Sequence, residues 1–181
     1  MHVLPGPHEL PLRGRAEEIA RVRELLEAER TPGSALLTFE GPPGIGKSRV
    51  LREAGRVAEA SGYAVVNGLP PVPLPAGRPL AVLLDDLHCA GAEEARALSR
   101  LRGELIDSTV VWFTARRTGW ANRPADEVLT GMAGYQERWI LGPLPGPALD
   151  DLVHDFLGGG PAPYCGMRCP RPAGIRGLRG R

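Results

Sequence analysis

Lysine is almost missing from this chain. The 181 residues hold 22 basic side chains, and all but Lys47 are arginine. Aromatic residues make up 5% of the chain, so aliphatic residues, glycine and proline dominate it. The cysteines number three. An odd count without a secretion signal argues for the reducing cytoplasm rather than a disulfide framework. Cys165 and Cys169 lie close together, but no second pair of cysteines or histidines completes a four-ligand zinc site. Met1 to Arg15 lacks the apolar centre of a signal peptide. No apolar run approaches the roughly 20 residues of a membrane span. The formal net charge is +1, so nothing global demands nucleic acid or an acidic membrane as partner. The length suits one domain with a real core and is short for two.

The single lysine stands in Gly41-Pro42-Pro43-Gly44-Ile45-Gly46-Lys47-Ser48, which matches the phosphate-loop pattern G-x-x-x-x-G-K-[ST] in full. In an arginine-rich chain, a surviving lysine marks a position that arginine cannot fill. A compact ammonium fits under phosphates, whereas a planar guanidinium is too wide for a tight backbone loop. The glycines let the backbone curl and aim its N–H groups at an anion. Ser48 is the expected Mg²⁺ ligand at the start of a helix whose positive end faces the phosphates. Ala35–Phe39 reads as a buried strand before the loop, and Val50, Leu51, Ala54, Val57 and Ala58 share one helical face after it. Strand, glycine-rich loop and helix are the context the motif requires.

Elsewhere the pattern alternates. Gly14–Arg30 reads as a helix, Thr31–Ser34 as a turn, Tyr63–Asn67 as a second strand and Gly68–Pro79 as a proline-rich bridge. Leu80–Asp85 is an apolar strand, Ala92–Leu105 a helix, Thr109–Thr114 a buried strand and Asn122–Ala133 a weaker helix. Arg138–Leu141 is a short last strand, and Gly146–Leu157 a last helix with Leu149, Leu152, Val153, Phe156 and Leu157 at helical spacing. Strands alternating with helices imply a parallel sheet covered on both faces, an α/β fold. Gly158–Arg181 is rich in Gly, Pro, Arg and Cys, with no acidic residue and no apolar period, and reads as a disordered tail.

Two further places carry chemistry. Leu83-Leu84-Asp85-Asp86 resembles a Walker B motif, with Asp85 expected to hold the water shell of Mg²⁺ beside Ser48 and Asp86 to polarise the attacking water. Thr114-Ala115-Arg116-Arg117 ends the next strand at the carboxyl edge, where ligands bind in parallel sheets. There Thr114 is a candidate γ-phosphate sensor and Arg116 a candidate partner for its charge. His88 is not assigned a proton-transfer role.

These pieces, in this order, resemble the signal-transduction ATPases with numerous domains, in particular the AAA-type ATPase module of large LuxR-type bacterial transcription regulators. Leu12-Arg13-Gly14-Arg15 looks like that family's Gly-Arg motif, which lies near the adenine. Asp85-Asp86-Leu87-His88 looks like its Asp-Asp-Leu-His box, Thr114-Ala115-Arg116 like its first sensor, and Leu141-Gly142-Pro143-Leu144 like its exit from the last strand. The resemblance spans about Leu10 to Leu157. It departs from the family in the short bridge at Gly68–Pro79, in Cys89 where tryptophan usually follows, and in the lid, repeats and DNA-binding helices that the family carries further on.

The resemblance implies a P-loop NTPase three-layer fold with strand order 5-1-4-3-2 and a helical lid largely missing. Periodicity does not order strands, so this order comes from the family alone. The expected division is an extension over 1–11, an ATPase core over 12–157 and the tail over 158–181. The expected nucleotide-binding set is Gly41, Pro42, Pro43, Gly44, Ile45, Gly46, Lys47, Ser48 and Arg49, with Gly14, Arg15 and Thr114. The expected catalytic set is Lys47, Asp86 and Arg116, with Mg²⁺ on Ser48 and Asp85 and ATP/ADP as the nucleotide. The leading expectation is an ATP-binding domain, ATP-hydrolysing if active, that is a short stand-alone protein or a fragment of a regulator. The alternatives are a degenerate nucleotide-binding interaction module without turnover and a nucleic-acid-associated, loader-like ATPase. The expected partners are nucleotide and protein, including self-association, with no direct nucleic-acid-binding motif and no membrane.

Overall fold

Three stretches of this chain are apolar on both faces of a strand, and such strands need cover on both sides. They form the middle of one five-stranded sheet. The computed structural model describes residues 10–28, 33–70, 77–105, 108–119 and 124–157. The expectations for 1–9, for 29–30 of the first helix, for 31–32 of the turn, for 71–76 of the bridge, for 122–123 and for the tail at 158–181 concern residues outside these ranges. Gly33 and Ser34, expected in the turn, open the first strand of the sheet instead, paired with Thr109 and Val110.

In chain order the elements are α1 (Ala16–Ala28), β1 (Gly33–Gly41), α2 (Lys47–Ala60), β2 (Ala64–Asn67) and β3 (Leu80–Leu84). They continue with a short 3₁₀ turn (Leu87–Cys89), α3 (Ala92–Glu104), β4 (Thr109–Arg117), α4 (Pro124–Met132), β5 (Tyr135–Ile140) and α5 (Gly146–Leu157). The sheet runs β2-β3-β4-β1-β5, every pairing parallel. This is the expected order 5-1-4-3-2 read from the other edge, with β4 between the loop strand and the strand that ends in the two aspartates.

Alternation along each central strand separates two cores. On one face Val111, Phe113 and Ala115 of β4 meet Leu37 and Phe39 of β1 under α1 and α2, through Val22, Leu26, Val50 and Ala54. On the other face Val110 and Trp112 meet Leu36 and Val82 under α3 and α4, through Leu98, Leu101 and Leu129. The result is a three-layer α/β/α P-loop NTPase fold with all five strand ends carrying their carboxyl termini on one edge.

The strands outrun their apolar runs. β1 and β4 stay paired through Glu40↔Arg116 and Gly41↔Arg117, so three charged residues sit inside the ladder. A buried acid opposite a partly buried base lets the strand continue where the apolar pattern stops. β5 begins at Tyr135, three residues before its expected start. Its sequence Tyr-Gln-Glu-Arg-Trp-Ile is half exposed, as a charged edge strand is.

Trp112 is fully buried, and its Nε1–H donates to Ser34 Oγ at 3.0 Å. Trp112→Ala is expected to destabilise the fold by about 3–5 kcal/mol. Urea unfolding followed by circular dichroism measures this; a loss under about 1 kcal/mol would contradict the packing described.

Candidate functional site

The chain turns from β1 into α2 through 42–46, and two glycines make the turn. Gly44 (φ 79°) and Gly46 (φ 100°) are left-handed, and a β-carbon on either would meet nothing within 4 Å. The glycines therefore answer to backbone conformation and to open space above the loop, not to crowding. Lys47, the first residue of α2, folds back into this curl and is 7% exposed. Its Nζ donates to the carbonyls of Gly41 (3.1 Å) and Pro42 (2.9 Å). A buried ammonium needs acceptors, and two neutral carbonyls are weaker partners than an anion. The helix N-terminus adds its positive dipole end. Ser48 follows on the exposed side. Loop, ammonium and helix end together fit a phosphate chain.

Beside the loop lies a cavity of about 540 Å³. Its walls are the segment Leu10–Arg13, the loop residues Gly44–Gly46, and the side chains of Leu152, Val153 and Phe156 on α5. The mostly apolar wall suits a flat ring system, with the phosphates directed to the loop. Arg15 is buried and ties three segments: Nη2 donates to Ile45 O (3.2 Å) and Gly142 O (2.7 Å), and Nη1 to Glu18 Oε1 (3.0 Å). Gly14 has φ 65°, and a β-carbon there would come within 2.6 Å of Ala148 Cβ. It seats α5 rather than walling this cavity. Arg49 lines the cavity and donates to the Leu10 carbonyl.

Asp85 and Asp86 leave β3 at the carboxyl edge, both exposed. Strand register sets Leu84 level with Thr114, and Thr114 level with Thr38. Asp85 is therefore one step beyond that row, toward the end from which the loop springs. Asp86 is the one non-glycine residue with positive φ (48°) among the described residues. Aspartate tolerates this left-handed conformation better than most residues. It starts the 3₁₀ turn, with Cys89 N donating to Asp86 O at 2.7 Å, while Asp85 Oδ1 accepts the Asp86 N–H at 2.9 Å. His88 is buried, its Nδ1 3.7 Å from Asp86 Oδ1. Among the described residues no three His, Cys, Asp or Glu side chains gather as a metal cage. Mg²⁺ needs none, since it keeps waters and is held by one or two protein oxygens plus phosphate. An exposed Ser48 hydroxyl and an exposed Asp85 carboxylate fit that chemistry.

The two sensor candidates are engaged inside the protein. Thr114 is fully buried, and its hydroxyl donates to Thr38 Oγ1 at 2.9 Å, across β4 and β1. The Arg116 guanidinium is held by Glu40 Oε1 and, through Nη1, by Asp126 Oδ2 at 2.7 Å. Arg138 Nη1 lies 3.8 Å from the same Glu40 oxygen. This cluster joins β1, β4 and the first turn of α4 immediately below the loop. Arg116 in this arrangement is a structural tie, and a contact with a phosphate requires it to leave Glu40.

Sequence reading missed Glu40, Asp126, Arg13 and Asp155. Glu40 carried a signal: an acid between a buried Phe39 and the loop needs a buried cation. Nothing local named Arg116, 76 residues on, as that cation.

No protein-family model matches the chain, and no curated protein does. Among solved structures it is similar to the Orc1 protein of Aeropyrum pernix, solved in complex with DNA, at 18% identity and a TM-score of 0.59. That match covers 85% of this chain and 52% of the Orc1 chain. It is also similar to Cdc6p from Pyrobaculum aerophilum, at 17% identity and a TM-score of 0.56, over 83% of this chain and 51% of that one. At these identities the likeness is one of fold, and this chain spans about half the length of either. Among the described residues no helix is long and apolar enough to cross a membrane.

Arg116→Ala removes the cation paired with two buried carboxylates and is expected to lower stability by about 3–5 kcal/mol. Urea titration of the purified variant checks this. A change under about 1 kcal/mol would show that the cluster is not a buried tie.

Proposed function

We propose that this chain is an ATP-binding domain of AAA type, of the kind that forms the ATPase module of large LuxR-type transcription regulators. The observation that carries the reading is Lys47, the one lysine, held inside a glycine loop at a helix start beside an apolar cavity. The loop N–H groups and the Lys47 ammonium bind the β- and γ-phosphates of ATP, and the cavity takes the base. Ser48 and Asp85 hold Mg²⁺, which when bound neutralises charge on the phosphate oxygens. Asp86 orients the attacking water. Turnover is slow, because Arg116 is engaged by Glu40 and Asp126 and adds no charge at the reacting phosphate.

A second reading is a nucleic-acid-associated ATPase, favoured by the likeness to an Orc1 protein solved on DNA. Steep loss of affinity for duplex DNA with rising salt would support it.

Mg-ATP is expected to bind the wild-type chain in isothermal calorimetry, with Lys47→Ala weakening it tenfold or more, since a charge-assisted contact contributes about 1.5–3 kcal/mol. Equal affinity in the two proteins would refute the site. Asp86→Asn is expected to reduce phosphate release while sparing binding, and Asp85→Asn to reduce the gain in affinity from Mg²⁺. Unchanged turnover and unchanged Mg²⁺ dependence in these variants would remove the two acids from their roles.

A further inference from the structure

α5 is an under-buried helix in a strategic place. Of its residues only Ala148 is buried, while Leu149, Val153, Phe156 and Leu157 are each about half exposed. Yet Leu152, Val153, Phe156 and Leu157 form one wall of the cavity beside the loop. A helix with so little apolar burial opens at low free energy unless something else holds it.

Among the described residues, two contacts that hold it come from adjacent residues of one segment. Gly14 receives Ala148 in close approach near the helix start. Arg13 grips Asp155, seven residues or about two turns further along the same face. The grip is bidentate: Nε donates to Asp155 Oδ2 at 2.8 Å and Nη2 to Oδ1 at 3.0 Å. Asp151, one turn earlier on α5, adds a second attraction for the same guanidinium. The base of the helix is fixed separately, because Arg15 holds the Gly142 carbonyl. The Arg13 side chain is 38% exposed, so water and salt reach the ion pair. The segment between Gly142 and Gly146 precedes α5, and Asp155 lies near the other end of the helix.

We propose that the Arg13–Asp155 ion pair is a latch that keeps α5 closed over the nucleotide cavity, and that its opening sets the rate at which nucleotide leaves. The latch rests on the nucleotide reading of the cavity. It is a positioning device: neither residue is required to touch the phosphates. Its strength is that of a partly exposed, bidentate pair, so it tunes residence time without deciding whether binding occurs.

The test is release of a fluorescent ADP analogue, measured by stopped-flow displacement with excess ADP. Asp155→Asn and Arg13→Gln are each expected to release it about two- to fivefold faster. For Asp155→Asn, which lies outside the cavity wall, the association rate is expected to change little. In about 1 M salt, where screening acts within about 3 Å, the difference from wild type is expected to vanish. The charge-swapped chain, Arg13→Asp with Asp155→Arg, is expected to recover slow release, which also controls for a damaged fold. Unchanged release in both single variants, or faster release that the swap does not correct and salt does not abolish, would overturn the latch while leaving the nucleotide reading intact. A lower melting temperature with unchanged release would likewise overturn it, showing a merely structural pair. Failure of the wild-type chain to bind the analogue at all would sink the nucleotide reading and the latch with it.

Discussion

The Lys47 ammonium, folded onto the carbonyls of Gly41 and Pro42, is the interaction around which the site is built. It closes a backbone curl that only left-handed residues can form, and it draws the start of α2 up against the end of β1. The curl sets where Ile45 O lies, which Arg15 then grips, and so where the segment before α1 crosses the loop. From that segment Gly14 and Arg13 reach out to seat α5. The cavity is bounded by these three parts and exists because the loop holds them in register.

The near-absence of lysine acquires a structural meaning from this. The charged ties around the site are made by arginine: Arg15 to two carbonyls, Arg116 to two carboxylates, Arg13 to Asp155. Arg21 extends the pattern to the sheet edge, bonding Glu24, Glu137 and the Tyr135 hydroxyl. Burial pushes the Glu137 carboxyl upward, but bonds from Trp139, Arg21 and Tyr135 outweigh it and hold the group below its usual range. Each of these places uses a planar fork with several donors. The loop needs a compact point charge instead, and there the chain places its lysine.

The helices and strands were largely legible because their signals are local. The 3.6-residue period of Ile19, Val22, Leu25 and Leu26 describes α1, and the apolar run before Asp85 describes β3. The phosphate loop was legible because its chemistry lies within eight consecutive residues. Strand order was not contained in any period and came from a resemblance between ordered motifs. The ion pairs were not legible, because charges 76 or 142 residues apart leave no mark on either partner's neighbourhood. The same holds for Thr114, whose hydroxyl at the strand end bonds Thr38, 76 residues earlier in the chain. An open-edge position and a buried cross-strand position have the same local sequence.

The central claim is that the loop around Lys47 and the cavity under α5 form one nucleotide site. Hydrogen exchange, with and without Mg-ADP, tests it most directly. The account predicts slower exchange at 43–49, at 10–15 and at 152–157, three segments far apart in the chain, with β2 and α3 unchanged. Protection that omits 43–49, or that falls on the other side of the sheet, would contradict it.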